Sequence, residues 1–457
     1  MRFRSIGLFS VALLLLPIPA ARSEVPAALT LGESTIHLNG PWRFRTGDDP
    51  SWADVAFDDS GWENVDLTPA RPDANDGDVG ITPYVAGWTS KGHAGYQGYA
   101  WYRMHLTVAS PAGETLAVLG PWAVDSAYQL YVNGRLLGSV GGFAGRTPTA
   151  HGYHYPRVFE LPSEIANGGA MVIAIRAWMG AWALPQPGSG GIHVAPAIGE
   201  RKAITAQYRL QWLRIFEGYA VDAVPALLFV LMAVMAFSLR LFDPADPAYS
   251  WLAVALVLSA IQRGNQAFFF WWEVETVQDF VYLIIALVGS LNLAAWIMAW
   301  RHWFKLETPA RLPRIVAALT LALIVAQLLS RPWLFHDALA PSLAIVARYL
   351  VRSVRLGFLL TFVWVVYQGV RRHAREGWFA LPAAVAIGIV LFASELAAVH
   401  VPGIWFPWGV GLSLSESASV GFDALLFVLL LRRLWSYARL IPRPPRQDGA
   451  SFEPRRA

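Results

Sequence analysis

Gly47-Asp-Asp-Pro-Ser-Trp-Ala-Asp-Val-Ala-Phe-Asp-Asp-Ser-Gly-Trp62 places five aspartates and two tryptophans within sixteen residues. Such a stretch admits two chemistries: carboxylates set to move protons, or turn formers between apolar anchors. Asp58-Asp59-Ser60-Gly61 favours the second reading. Short Asp side chains accept hydrogen bonds from nearby backbone N–H groups, and Gly tolerates positive φ. Trp62, with Trp42 and Trp101 on the flanking segments, reads as a core anchor.

Working outward, the region from about Glu24 to Gly199 is rich in Gly, Pro, Trp and Tyr and carries short alternating runs. Trp101–Val108, Ala127–Val132 and Met171–Arg176 each alternate with a period of two, the strand period. Asn133-Gly134 lies between two apolar runs, a strong hairpin signal, and Asn167-Gly168-Gly169 precedes another strand. Many short strands at regular spacing predict an antiparallel β-sandwich.

Leu38-Asn-Gly-Pro-Trp-Arg-Phe44, the acidic stretch, Gly98-Tyr-Ala-Trp-Tyr-Arg103 and Tyr131-Val-Asn-Gly-Arg-Leu-Leu-Gly138 follow one another in order. This order resembles the jelly-roll, galactose-binding-like sugar-binding domain that precedes the catalytic barrel in family 2 glycoside hydrolases. The resemblance covers about Leu38 to Arg176 and implies a jelly-roll fold. It does not imply hydrolysis, because that family's paired carboxylates reside on the barrel. The candidate saccharide platforms are aromatics near expected loops: Trp88, Tyr96, Trp122, Trp178 and Trp182. Each also has a plain reading as a loop-packing side chain. His151 and His154 form a weak metal pair without a clear third ligand, so neither metal nor cofactor is expected.

Before the sandwich, Arg2 and Arg4 precede an apolar run from Ile6 to Leu16 and an Ala21-Arg22-Ser23 cleavage pattern. That run is too short to span a bilayer, and residues 1–23 are expected to be a secretory signal peptide. Residues 24–200 are then the extracytoplasmic sandwich, and residues 201–218 a juxtamembrane helix. Tyr208, Leu210, Leu213 and Ile215 alternate there with Arg209, Gln211 and Arg214.

The remainder is a different material. Of 457 residues 55% are hydrophobic and 15% charged, well below the quarter common in soluble chains. Seven apolar stretches approach the ~20 residues that cross hydrocarbon. They are Ala220–Phe242, Tyr249–Trp271, Phe280–Trp300, Ile315–Phe335, Val346–Val370, Trp378–Val399 and Ala418–Leu434. An all-α seven-transmembrane bundle over residues 219–434 follows, with a basic, Pro-rich tail at 435–457. If the first span enters from outside, the expected inner loops carry Arg240, the set Arg301 to Arg314, and Arg371, Arg372 and Arg375. The expected outer loops carry Glu273, Glu275 and Asp279 with a lone Arg331, which satisfies the positive-inside rule. The whole is a multidomain, multi-pass protein of a bacterial inner membrane, sandwich outside and C-terminus in the cytoplasm. The net charge of +4 follows this topology, and no nucleic-acid partner is expected. The chain contains no Cys, which excludes disulfides and thiolate sites.

Arg348, Arg352 and Arg355 recur at i, i+4, i+7 in the outer half of the fifth span. Arg263, Glu395 and Asp423 fall at similar depth, with Asp222 and Glu416 near the outer boundary. Charges inside a membrane face the bundle interior and pair. Two readings stay open: a salt-bridged network holding helices together, or a polar vestibule for an anionic or hydroxylated ligand. Gly411-Leu-Ser-Leu-Ser415 lacks the G-x-S-x-G nucleophile pattern, and no catalytic constellation is found.

Signal peptide, jelly roll, juxtamembrane helix and seven spans together resemble the bacterial seven-transmembrane receptors with diverse intracellular signalling modules. The resemblance implies a receptor that binds a saccharide or small polar ligand outside and signals inward. The cytoplasmic output module of that family is missing after Leu434, so the effector is expected to be a separate polypeptide. A transporter, or an accessory subunit of an envelope polysaccharide or transport system, is the alternative. An envelope enzyme with an unrecognised site is a third.

Overall fold

The computed structural model describes residues 35–71, 83–108, 115–145, 147–150, 155–166, 169–180, 187–274, 276–307, 311–330, 341–372, 374–404 and 413–438. The expected signal peptide, His151, His154, Trp182, Glu275, Arg331 and the tail beyond residue 438 lie outside the described residues.

The first half is antiparallel β. Its strands are β1 Thr35–His37, β2 Trp42–Thr46, β3 Glu63–Val65, β4 Gly98–Val108, β5 Leu116–Leu119, β6 Val124–Asp125, β7 Ala127–Val132, β8 Arg135–Val140, β9 Val158–Glu160, β10 Gly169–Met179, β11 Gly191–Ile192 and β12 Ala197–Glu200. One sheet has the order β1-β12-β5-β9, the other β3-β2-β4-β10-β7-β8, and β11-β6 form a small third. The long strands β4 and β10 pair over their full length, from Gly98↔Met179 to Val108↔Gly169. The expected hairpin joins β7 to β8, with φ of 48° at Asn133 and 76° at Gly134. Both central residues of a type I′ turn need positive φ.

Alternation on β4 and β10 produces two cores. Ala100, Tyr102, Met104, Ile173, Ile175 and Ala177 face inward and meet Leu116, Val118, Phe159 and Ile198 of the other sheet. The opposite face would be open to water, but Trp52, Ala53, Phe57 and Trp62 lie over Trp101, Ala174 and Tyr131 as a second, satellite core. The Gly47–Trp62 stretch is thus a strap laid across the outer face of the six-stranded sheet.

The second half is helical: α1 Arg201–Phe242, α2 Pro247–Trp271, α3 Val277–Trp303, α4 Arg311–Leu329, α5 Pro341–Arg372, α6 Ala374–Leu391, α7 Ala393–Ala398 and α8 Leu414–Ala438. Thr276 caps α3 through a reciprocal pair of hydrogen bonds with Asp279, and a π-helical stretch, Phe280–Val288, follows. The described parts of the expected spans are mostly helical, with a break at Phe392 inside the expected span Trp378–Val399. Among the described residues five helices, α1, α3, α4, α5 and α8, are long and apolar enough to cross a membrane by length and composition, and α6 contributes a shorter apolar stretch, Gly377–Leu391. The count of seven crossings expected from sequence is therefore met only in part. Large apolar side chains such as Leu227, Val234, Leu241, Leu321, Leu360 and Val428 point outward. A surface of that kind suits lipid rather than water. Trp296, Phe229, Phe358 and Phe422 fill the interior of the bundle.

The expected juxtamembrane helix and first span form one uninterrupted element. At 42 residues α1 is roughly 63 Å long. Its first turns dock under the sandwich, where Ile204 is buried among Ala117, Leu119 and Ala197.

Candidate functional site

The strap shows what the conspicuous acidic residues do. Asp48 accepts from Arg176 Nε at 2.7 Å and from Trp101 Nε1 at 3.2 Å. Asp49 accepts from Ser51 N at 2.9 Å, and Asp58 from Ser60 N at 3.0 Å. Asp59 accepts from Arg103 Nε and pairs with His105 Nε2, both at 2.8 Å. The Arg103 side chain is 0% exposed. It also donates to the carbonyls of Trp52 and, at 3.0 Å, Asp54, so one guanidinium from β4 gathers the strap. Burial alone would raise the Asp59 carboxyl, but hydrogen bonds from Arg103 and His105 outweigh it and hold the group below the usual carboxylate range. These carboxylates fix a turn and a strap.

The candidate saccharide aromatics separate on burial. Trp88 is 2% exposed and donates to Tyr96 O at 3.2 Å, in contact with Gly190 and Gly191. Trp178 is 7% exposed. Both rings are thus buried in the fold. Tyr96 is half-buried, donates to Tyr99 O at 2.6 Å, and is raised above the ordinary phenol range mainly by burial. Trp122 is also half-buried, against Ala123, Val194 and Tyr84. Trp178 lies on the outer face of the sheet, so strand parity alone pointed to water.

A more developed site lies in the helices. Asp222 of α1, Arg263 of α2, Arg355 of α5 and Glu416 of α8 line a cavity of about 470 Å³. Its wall continues through Ser259, Gln262 and Gln266 of α2, Ser290 and Asn292 of α3, Gln327 of α4, and Ser413 and Ser415 at the start of α8. The volume falls in the range of small-molecule sites. Arg263 Nη1 donates to Asp222 Oδ1 at 2.8 Å and to Glu416. Arg355 holds Glu395 with both Nε and Nη2, the latter at 2.7 Å, and donates to Leu391 O at 3.1 Å. A second polar chain stiffens one wall: Trp296 Nε1 donates to Ser259 Oγ, Ser259 Oγ to Asn292 Oδ1, and Asn292 Nδ2 to Gln262 Oε1, each at 3.0 Å.

Of the charged residues singled out in sequence, Asp222, Arg263, Arg355 and Glu416 line this cavity, and Glu395 is held by Arg355. Asp423 is 4% exposed and within electrostatic reach of Arg263. Arg352 does not join them: it is exposed, with Tyr349 as its aromatic neighbour at 6.0 Å. Arg348 is half-exposed and is not among the residues lining the cavity. The i, i+4, i+7 stripe thus contributes one arginine to the cavity, Arg355, which among the described residues is the one of the three paired with a carboxylate. The neutral lining was missed. Ser259, Gln262, Arg263 and Gln266 recur at i, i+3, i+4, i+7 within an apolar span, and that pattern was its signal.

The cavity lies close beneath the sandwich. Six residues, or roughly 9 Å of helix, separate Arg263 from Phe269. Phe269 O accepts the Tyr155 hydroxyl at 2.6 Å. Around that contact Ile215, Tyr219, Phe270, Val277 and Val281 pack with Ala150 of the sandwich. Val277 N donates to Ala150 O at 2.9 Å, and Arg157 pairs with Glu273 at 2.7 Å.

No protein-family model matches this chain, and no curated protein matches it. Solved structures give a weak likeness. A β-glucuronidase of Bacteroides uniformis matches 36% of this chain and 18% of its own at 22% identity, with a TM-score of 0.27. A family 2 glycosyl hydrolase of Bacteroides cellulosilyticus matches 36% of this chain and 20% of its own at 18% identity, TM-score 0.26. A β-glucuronidase of Bifidobacterium dentium matches 37% of this chain and 30% of its own at 17% identity, TM-score 0.25. In each case the chain spans less than a third of the other protein's length. A likeness this weak says nothing of activity, substrate or site.

Proposed function

We propose that this protein is a receptor-like membrane sensor without catalytic activity of its own. Its β-sandwich lies outside the cytoplasm, and a saccharide or small polar ligand shifts the bundle between two arrangements. The observation that carries this reading is the continuity of α1. One helix packs under the sandwich at Ile204 and lends Asp222 to the cavity. A ligand that binds one sandwich–bundle arrangement better than another shifts the population toward it. The response would be read on the inner side by a separate effector docking near Arg371, Arg372 and Arg375 or on the basic tail.

The test is hydrogen exchange on the full chain in nanodiscs against a panel of mono- and disaccharides and small polar metabolites. The expected result is a compound that changes exchange in the sandwich and in α1 together. Failure of the whole panel, or a change confined to one side, would overturn the reading.

One feature favours a transporter instead. The cavity wall includes Leu391 and Ala393, either side of the break between α6 and α7, and Phe280 and Ile285 of the π-helical stretch. Interrupted helices at a membrane-depth site occur in secondary transporters. Uptake of a bound compound into proteoliposomes would establish that alternative.

A further inference from the structure

The charged groups that line the cavity are engaged: Arg263 holds Asp222 and Glu416, and Arg355 holds Glu395. Its neutral amides are not. Gln262, Gln266 and Gln327 all line the cavity, the first two one turn apart on α2 and the third on α4. Gln262 Oε1 accepts from Asn292 Nδ2, and its Nε2 lies towards Gly289, 3.9 Å from where a Cβ would stand. Among the described residues that Nε2, and both amide atoms of Gln266 and Gln327, have no hydrogen-bond partner. Gln327 carries most weight, because it is only 9% exposed and belongs to an apolar, membrane-length helix. None of these amide atoms is sealed off. The Asp423 carboxylate, by contrast, is enclosed and does not line the cavity.

A buried polar group without a partner costs free energy, so unpartnered amides turned to a cavity indicate what it accepts. A carboxamide is neutral and offers two N–H donors beside an oxygen acceptor. Three of them favour an uncharged molecule that donates and accepts at several points around its rim. An anion would meet Asp222 and Glu416. A cation would have to draw a carboxylate from Arg263 or Arg355, and breaking a buried pair strands the other charge. Between the polar groups the wall is apolar, at Phe229, Phe280, Leu293 and Leu323, and suits C–H faces. A planar amide or lactam presents its donors and acceptors along one edge, whereas these glutamines come from two helices. Hydroxyls on a ring answer both requirements, since each donates and accepts and they alternate with C–H groups.

We infer that the cavity takes a neutral cyclic polyol of monosaccharide size, held by the amides of Gln262, Gln266 and Gln327. This rests on reading the chain as a ligand-driven sensor, and it puts the site within the helices rather than on the sandwich. At about 470 Å³ the cavity has room for such a molecule. The bound ring accepts from Gln262 Nε2 and exchanges hydrogen bonds with the Gln266 and Gln327 amides, while the ion pairs of Arg263 and Arg355 stay intact.

The experiment is thermal unfolding of the full chain in nanodiscs with graded galactose, glucose and myo-inositol. Glucuronate, putrescine and nicotinamide are the comparison probes: an anion, a cation and a planar amide. Wild type is compared with Gln327→Leu, Gln266→Leu and Gly289→Leu. The two glutamine variants strand no partner and are expected to fold. Gly289 lines the cavity, and a side chain there enters the space beside Gln262. Sugars at high concentration also stabilise folded proteins by exclusion from their surface, and Gly289→Leu measures that background. The inference expects at least one of the three polyols to stabilise wild type saturably above it. Each glutamine variant should raise the half-saturating concentration about two- to tenfold, the range for one neutral hydrogen bond. Gly289→Leu should abolish the saturable part.

Saturable stabilisation by a polyol that is equal in all four forms would overturn the inference and leave the sensor reading, with its site elsewhere. Stabilisation lost in Gly289→Leu but unmoved by both glutamine variants would overturn the amides as the holders of the ligand. Stabilisation by glucuronate, putrescine or nicotinamide alone, lost in Gly289→Leu, would overturn the polyol class and leave the cavity as a ligand site. No saturable response to any probe would overturn both the inference and the reading beneath it.

Discussion

Arg103 is the point at which the strap stands or falls. It is fully buried and donates to Asp59 and to the Trp52 and Asp54 carbonyls. Arg103→Met keeps the aliphatic body and removes the guanidinium. Removing one member of a buried ion pair costs about 3–5 kcal/mol, because the other charge stays behind. The loss should appear as local opening of Gly47–Trp62, where the amides of Trp52, Asp54, Phe57 and Trp62 donate to carbonyls within the strap. At 1.36 kcal/mol per tenfold, protection at those four amides should fall by about two to nearly four orders of magnitude. Hydrogen exchange resolved to the peptide, on the full chain in nanodiscs, measures this. Arg103→Lys, which retains charge but not the fork, should lie between. Asp58→Asn should leave the four amides essentially unchanged, since that carboxylate is solvent-facing and serves one local turn. Unaltered protection in Arg103→Met would refute the reasoning.

Three further outcomes are expected. Because the folded Asp59 carboxyl is held below its unfolded value, its contribution is complete above about pH 4 and is lost as pH falls through the lower folded value. The thermal midpoint followed by tryptophan fluorescence should therefore drop in that acid window, and Asp59→Asn should remove this component. Gly191→Ala should destabilise the sandwich by about 1–3 kcal/mol, since its φ is +79° and a Cβ would meet the Tyr102 hydroxyl and the Trp88 ring; an unchanged midpoint would count against that packing. At the junction, Tyr155→Phe should cost about 0.5–1.5 kcal/mol, more than Arg157→Ala, because the Arg157–Glu273 pair is 44% and 38% exposed and such pairs contribute about 0–1 kcal/mol. Equal midpoint shifts for the two variants would show that ranking to be wrong.

The sandwich was legible because its signals are local. Period-two runs became β4, β7 and β10, and Asn133-Gly134 became the hairpin turn. The turn-forming role of Asp49 and Asp58 was legible for the same reason, as each bonds two residues on, whereas the partners of Asp48 and Asp59, Arg176 and Arg103, lie on strands distant in sequence. What lay beyond the sequence was the strap's position. Trp101 and Trp178 occupy strand positions that parity assigns to water, and burial there depends on other segments folding over the sheet. The membrane half shows the same division. Apolar length located the helices, but the cavity depends on which arginine of Arg348, Arg352 and Arg355 finds Glu395 on a distant element. Continuity of α1 through position 218 was also hidden, because the change from amphipathic to apolar composition marks a change of surroundings and not a break in the helix.

The central claim is that sandwich and cavity form one mechanical unit through α1 and α2. The direct measurement is hydrogen exchange over the first turns of α8, Leu414 to Asp423, in the Tyr155→Phe/Arg157→Ala double variant in nanodiscs. Both substitutions lie in the sandwich, where Tyr155 bonds Phe269 and Arg157 pairs with Glu273. Loosening Phe269 and Glu273 should free Arg263 and thereby its Glu416 contact, so exchange across Leu414–Asp423 should rise. Exchange that changes only in the sandwich and the α2–α3 connection, with the start of α8 unaltered, would contradict the account.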